Sequence, residues 1–341
     1  MPADFAFLQL AVGRYVCGVG PFEAFEKPGD AEVIFYINDF ALSDPKPWKR
    51  PAHWFETSDV RVLLPQNGST PLPEIEWGGL RNTEFRDIFD DIQGQIGLGT
   101  LEKSVPVITE RGRIEAGEPA ALVKAVQGLP RDFFGYGYTM GERGEVGATP
   151  ERLFSLRGGR LETMALAGTA PKHEASDFLH DEKEIREHEF VAEYLVERLS
   201  LLGTVQRGQR AVMDLGPIVH FVSRIAVELK SAGSELDLDQ LIAHMHPTPA
   251  LGAYPRGEGA LQRLCEYRER LGTPIEFGAP FGVWRRAEQA FDSIVAIRNV
   301  SWTGGEMACP SGCGIIRESR FEREWRELAL KRNSVKAMLG V

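Results

Sequence analysis

The stretch Arg152–Leu166 reads RLFSLRGGRLETMAL, two extended runs, Arg152–Leu156 and Arg160–Leu166, on either side of Gly158-Gly159. Such a pair is a hairpin signal, because the tightest hairpin turns need positive φ at their central residues. Working outward, strands are expected upstream at Phe133–Met140 and Glu145–Ala148, and downstream at Ser293–Val300, turned back at Gly304-Gly305. Lys103–Ile108 also reads as extended, with Pro106 marking an edge or a bulge because it has no N–H for a ladder. Phe85, Ile88, Phe89, Ile92 and Ile96 recur with helical period and stop near Gly97 and Gly99. Further helices are expected at Pro119–Gly128, Phe178–Leu202 and Glu322–Leu339. The first 80 residues read as short strands, Glu32–Ile37 and Val60–Leu64, among Pro- and Gly-rich turns. Helices and hairpins intermix without regular β-α alternation, which predicts an α+β fold built on large antiparallel sheets. No repeat or linker divides the chain, so 1–341 is taken as one domain, a β-rich part over 1–80 followed by a core over 81–341.

Composition narrows the function. The charge is 39 − 49 = −10, with 43% hydrophobic residues and no Lys/Arg run, which argues against a nucleic-acid partner. No apolar run approaches the roughly 18 residues of a membrane span, and the N-terminal sequence lacks a basic leader, so a soluble cytoplasmic protein is expected. Cys17, Cys265, Cys309 and Cys313 are too few for a disulfide scaffold and lack the spacing of a zinc site; they read as small apolar residues.

Two helices place carboxylates on their buried face. At about 100° per residue, with Glu184 at 0°, DEKEIREHEFVAEYLVERLSLL (181–202) puts Glu187 near 300°, His188 near 40° and Val191, Leu195 and Leu202 within about 20° of zero. FEREWRELALKRNSVKAML (321–339) repeats the geometry: with Glu324 at 0°, Glu327 falls near 300°, Leu328 near 40°, Lys331 near 340° and Val335 near 20°. Buried carboxylates need counter-charge. Oxygen ligands from two helices suit Mg²⁺, which shares its shell with water and an anionic substrate. The alternative is a surface glutamate paired with an i,i+4 lysine, as Glu327 with Lys331.

With these helices in place, ten stretches together resemble the chorismate-utilising enzymes, which include isochorismate, salicylate, anthranilate and aminodeoxychorismate synthases. In order they are GTLEKSVPV, GATPERLFSL, MALAGTAPK, DEKEIREHEF, VHFVS, HPTPALGAYPR, FGAPFGVW, SIVAIRN, SGCGIIRES and EREWRELALK. The resemblance implies two large antiparallel sheets with flanking helices enclosing one active site. It implies that Glu187 and Glu324 hold Mg²⁺ directly, with Glu184 and Glu327 close by, and that the metal holds the ring carboxylate of chorismate. Arg298 then matches the arginine that takes the enolpyruvyl carboxylate, a task suited to a planar bidentate fork. Lys331 matches a lysine near the ring carboxylate, and Gly168-Thr169 and Gly312-Cys313-Gly314 match loops whose backbone approaches substrate. Cys313 stands where the family usually has a smaller residue, which implies an altered pocket wall. His220 matches a histidine lining the site, and His246 lies in another family motif; a structural role is the alternative for each.

The branches of the family differ at few positions. Glu151 matches the general acid that protonates the departing C4 hydroxyl. Enzymes that add water at C2 carry a lysine as base, in a motif like Glu-Lys-Val-Val, and those that add ammonia usually carry glutamine. Here Lys103 precedes Glu151 by 151 − 103 = 48 positions, close to the family's spacing. Ala167 stands where some aminodeoxychorismate synthases have a covalent lysine, and Phe277 where isochorismate synthases often have phenylalanine. The expectation is an Mg²⁺-dependent isochorismate synthase acting on chorismate. Salicylate synthase is the first alternative. An anthranilate or aminodeoxychorismate synthase component served by a separate glutaminase subunit is the second, and a non-catalytic chorismate-binding subunit the last.

Overall fold

The computed structural model describes residues 4–65, 70–230 and 237–341. Among them, seventeen strands are hydrogen-bonded in one continuous order. That order narrows to two rungs, Phe35↔Lys49 and Tyr36↔Trp48, and so divides into two large antiparallel sheets. In the first, Gly203–Arg207 and Ala211–Asp214 both pair with Ile218–Leu229, followed by Arg160–Pro171, Arg152–Arg157, Ala290–Val295, Pro280–Arg285 and Val33–Ile37. The second runs Trp48–Thr57, Arg14–Phe25, Phe5–Ala11, Phe134–Met140, Arg143–Thr149, Asn299–Thr303, Glu306–Gly312, Val107–Ala116 and Glu74–Trp77. Their faces meet through one apolar cluster, in which Ala6, Leu8, Val16, Tyr136 and Tyr138 of the second sheet pack on Val33, Phe35, Phe281, Val283 and Ile294 of the first. The central strands are covered on both faces, so their burial is nearly continuous and not alternating.

Helices cover the outer faces. We label them α1 (Thr83–Gly97), α2 (Ala175–Phe178), α3 (Glu182–Ser200), α4 (Leu238–Met245), α5 (Glu258–Arg270) and α6 (Phe321–Leu339). Helix α3 lies on the first sheet, where Val191, Leu195 and Leu199 pack with Leu161, Ala165, Ile225 and Val227. Helix α6 lies on the Glu306–Gly312 strand of the second sheet. Helix α1 buries the periodic residues Phe85, Ile88, Phe89, Ile92 and Ile96 against Phe321 and Leu328 of α6, with Phe89 edge-on to Phe321 at 5.7 Å between centroids. Each such side chain contributes roughly 1.5–3 kcal/mol on burial.

Several boundaries differ from the sequence expectations. Val60–Leu63 is a short 3₁₀ helix rather than a strand, because the Asp59 carboxylate accepts from the Arg61 N–H at 3.0 Å and tightens the chain into a turn. Pro119–Val126 is 3₁₀ as well. The helix expected over Phe178–Leu202 breaks between α2 and α3, where Asp181 caps Glu184 N at 3.1 Å. Arg14–Phe25 is a twelve-residue strand that the sequence obscures with Gly18, Gly20 and Pro21, and its register shifts between Val19 and Phe22. The run Ser293–Val300 is not one strand: Ala290–Val295 belongs to the first sheet and Asn299–Thr303 to the second. No helix among the described residues is long and apolar enough to cross a membrane.

Trp48 sits at the narrow junction of the sheets, fully buried, 5.0 Å edge-on from Tyr36, with its indole N–H donating to Asp239 at 2.9 Å. Trp48→Ala is expected to lower unfolding free energy by about 3–5 kcal/mol, read from the urea midpoint, as for other large aromatic truncations. A change below about 1 kcal/mol would show that the junction contributes little.

Candidate functional site

Two places where the chain passes from one sheet to the other supply the first pair of site residues. Between Arg143–Thr149 of the second sheet and Arg152–Arg157 of the first stands Glu151; between Ala290–Val295 and Asn299–Thr303 stands Arg298. The crossings run side by side, with Val295 N donating to Glu151 O at 3.0 Å and Ala148 N to Arg298 O at 3.1 Å. A Cβ at Gly147 would meet Arg298 O at 2.9 Å, so only glycine allows this approach. Arg298 itself has φ +57°, a conformation that costs a side-chain-bearing residue energy and that the flanking strands impose.

Gly168 forms a bulge between Ala167 and Thr169 in the strand beside Ile218–Leu229, with φ +76°. A Cβ there would meet Glu184 O at 2.8 Å, so the glycine lets α3 approach the strand. As a result Thr169 N donates to Glu184 Oε2 at 2.7 Å. Across the sheet, His220 Nδ1 lies 2.7 Å from Gly168 O and 3.0 Å from Thr169 Oγ1, and its Nε2 lies 2.8 Å from Arg298 Nη2. A guanidinium can only donate, so Nε2 accepts and Nδ1 carries the hydrogen that goes to the carbonyl. Burial, with the Arg298 and Lys331 charges, pushes the imidazole well below its usual pKa, which agrees with that neutral tautomer.

These groups line a narrow cavity, with about 60 Å³ open to the centre of a water-sized sphere. Its wall includes Glu151, Gly168, Thr169, Glu187, His220, Arg298, Gly312, Gly314 and Lys331, together with Val105, Leu251, Phe277 and Ile297. Lys331 bridges Glu327 Oε1 at 2.6 Å and Gly312 O at 2.9 Å. The i,i+4 pair of the alternative reading therefore exists, but it lies at the site and not on the surface. Burial pushes the Glu151 carboxyl up to about 8 against the opposing pull of Lys103, Lys331 and Arg298. Burial likewise brings Arg298 down to about 10, with Glu327 and Glu151 acting the other way.

Lys103 is fully buried behind Gly314, whose Cβ would meet the lysine Cε at 2.7 Å and Glu187 Oε1 at 2.2 Å. It does not line the cavity; its Nζ pairs with Glu187 Oε1 at 3.1 Å. Glu184, Glu187, Glu324 and Glu327 are all buried, as the helix arithmetic predicts. Lys183, the cation that three of them share, does not stand out in the sequence. Lys183 Nζ stands 3.1 Å from Glu184 Oε1, 3.1 Å from Glu187 Oε2 and 3.3 Å from Glu324 Oε1. The same arithmetic puts Lys183 near 260°, about 40° from Glu187, so the spacing held the signal. Arg323 adds a contact to Glu184 Oε1 at 3.0 Å.

The charges are unequally balanced. Burial acts to raise the Glu187 carboxyl, but Lys103 and Lys183 outweigh it and hold the group well below the carboxylate range. Burial raises Glu184 to about 8 and Glu324 to about 7, with Lys183 opposing. Neither carboxylate oxygen of Glu324 accepts a hydrogen bond of normal geometry. This orphaned, buried carboxylate among three others fits a hard divalent cation in its donor chemistry. As the side chains stand, no three His, Cys, Asp or Glu among the described residues converge closely enough to hold a metal ion, and Lys183 fills the space.

Two expectations take a different form. Cys313 packs with Ile315, Phe321 and Leu328 under α1, so the cavity wall is made by its neighbours Gly312 and Gly314. His246 gives Nε2 to Phe40 O at 2.8 Å, and burial lowers it to about 4, which makes it a structural histidine. Cys17 and Cys309 are buried free thiols and Cys265 is half-buried.

Residues 73–340 match the family described as chorismate binding enzyme, and the chain belongs to that family. It is 32% identical over 206 residues to the salicylate biosynthesis isochorismate synthase of Pseudomonas aeruginosa, covering 57% of this chain and 42% of that protein. It is 28% identical over 274 residues to anthranilate synthase component 1 of Aeropyrum pernix, covering 75% and 60%. The chain thus spans about half the length of the curated relatives it matches. In fold it is similar to MenF, the menaquinone-specific isochorismate synthase of Escherichia coli, with a TM-score of 0.81, 20% identity, and 98% of this chain and 88% of that one covered.

His220 should remain neutral with its proton on Nδ1 from pH 8 down to pH 5, as read by ¹⁵N chemical shifts of labelled imidazole. A titration near the ordinary value of about 6.5 would contradict the assigned hydrogen bonds.

Proposed function

We propose that the chain converts chorismate to isochorismate in this cavity, with Mg²⁺ bound by Glu187 and Glu324 and with Glu184 and Glu327 alongside. The observation that carries this reading is Glu151, a buried carboxyl on the cavity wall whose raised pKa keeps it protonated near neutral pH, with the charge of the buried Lys103 acting on it. Mg²⁺, when bound, supplies the positive charge that holds the ring carboxylate.

The chain's own groups do the rest. Arg298, steadied by the neutral His220, offers its fork to the enolpyruvyl carboxylate. Lys331, on the cavity wall, adds charge near the ring carboxylate. With both carboxylates fixed, Lys103, released from Glu187 as the neutral amine and reaching past Gly314 into the cavity, takes a proton from water as its oxygen bonds to C2, the ring double bond shifts, and the C4–O bond breaks. Glu151 gives its proton to the departing hydroxyl, so one water enters and one leaves. The match to anthranilate synthase component 1 favours, as a second reading, ammonia addition at the same carbon, which would call for a glutaminase partner.

With chorismate and Mg²⁺, the chromatographic product should be isochorismate. Lys103→Gln should lower its formation by a factor on the order of 10² to 10⁴ while chorismate still binds. An amino product formed with ammonium and none formed with water would assign the chain to the amine branch; salicylate with stoichiometric pyruvate would add a lyase step.

The pH profile tests Glu151 separately. Its carboxyl is raised to about 8, so the protonated form dominates at neutral pH and is lost as pH rises through that value. kcat/KM should therefore fall above about pH 8 with unit slope. A rate that climbs through the same range would mean that Glu151 acts as a carboxylate.

A further inference from the structure

We propose that Lys183 is a resident cation that exchanges with the divalent ion: its ammonium holds Glu184, Glu187 and Glu324 together while the metal is absent and leaves the cluster when the metal enters. This rests on the reading of the four glutamates as a Mg²⁺ site.

Three observations support the exchange. Lys183 is buried with its Nζ within 3.3 Å of three carboxylates from two helices, and it is the cation nearest the orphaned oxygens of Glu324. It also occupies the first turn of α3, next to the Asp181 cap, where exposed N–H groups and the helix dipole disfavour a cation. The carboxylates, not the helix, therefore keep it there.

Finally, the same oxygens would have to serve both ions. Gly314 packs so closely on the Glu187 carboxylate and on Lys103 that a Cβ there would clash. Mg²⁺ needs oxygens at about 2.1 Å in octahedral array, and an ammonium held in the same ring of oxygens would repel it. A cleft of mixed charge, lined by Glu174, Glu318, Glu322 and Glu327 and by Arg320, Arg323 and Arg326, adjoins the cluster at Glu327 and gives the flexible lysine stem carboxylates to move to.

The exchange makes a prediction opposite to that for a lysine that merely supports the metal site. Lys183→Met and Lys183→Gln, purified in excess Mg²⁺ and then stripped with EDTA, are compared with the unaltered chain by Mn²⁺ titration in electron paramagnetic resonance and by thermal unfolding. Both variants should bind Mn²⁺ at least about tenfold more tightly, which is about 1.4 kcal/mol. Both should unfold at lower temperature in EDTA and recover when Mn²⁺ is added. Unchanged or weaker Mn²⁺ binding by both variants, with normal binding by the unaltered chain, overturns the exchange and leaves the metal site standing. Unaltered thermal unfolding in EDTA overturns it too, as does failure of both variants to fold even in Mg²⁺. No Mn²⁺ binding by any of the three proteins overturns the exchange and the metal reading together.

Discussion

Four carboxylates brought inside one protein are the constraint on which the rest of the structure turns. Glu184 and Glu187 come from α3, and Glu324 and Glu327 from α6. The two helices rest on different sheets, yet Lys183 of α3 reaches Glu324 of α6 at 3.3 Å, so the carboxylates of both gather in one cluster. Burying such charge without compensation is far more costly than a domain's net stability allows. The compensation is local and specific: Lys183 and Lys103 on Glu187, Arg323 and the Thr169 N–H on Glu184, and Lys331 on Glu327. Glu324 is the member left with the poorest polar company. A cluster this acidic is poised to accept positive charge, and the protonation favoured at Glu184 and Glu324 is what burial imposes without more of it.

The second constraint is backbone geometry. Strands that change sheets must do so at the margin of the sandwich, and both adjacent crossings deliver an ionisable side chain to the cavity wall: a carboxyl at Glu151 and a guanidinium at Arg298. Because each crossing is pinned by ladder hydrogen bonds at both ends, the two groups are placed by rigid elements and not by loops. The left-handed φ of Arg298 is the energetic cost of that placement. His220 then limits the motion of the guanidinium without neutralising it, since a neutral imidazole accepts a hydrogen bond and leaves the charge for a ligand.

How much of this was legible in the sequence follows from how local each signal is. The inward face of α3 and α6 could be read because helical period is set by a few neighbouring residues, and the four glutamates fall on it with Val191, Leu195 and Leu328. The hairpin at Gly158-Gly159 was legible for the same reason and is present as Ser155↔Glu162 to Arg157↔Arg160. The crossing at Arg298 was not: Ser293–Val300 is uniformly strand-like, and the change of sheet depends on partners far away in the chain. Lys103, Glu151 and Arg298 were singled out by resemblance, since nothing in their immediate neighbours announces a cavity. Lys183 is inconspicuous in the sequence although its helical angle places it beside Glu187, because a lysine in an acidic, charged stretch reads as solvated.

Diffraction at the manganese absorption edge, on crystals of the unaltered chain grown with Mn²⁺ and chorismate, tests most directly whether the acidic cluster exists to hold a metal. The expected result is an anomalous peak between Glu187 and Glu324, with the Lys183 ammonium moved out of the cluster. Bound substrate with no anomalous peak, and Lys183 still in contact with Glu184, Glu187 and Glu324, would contradict it.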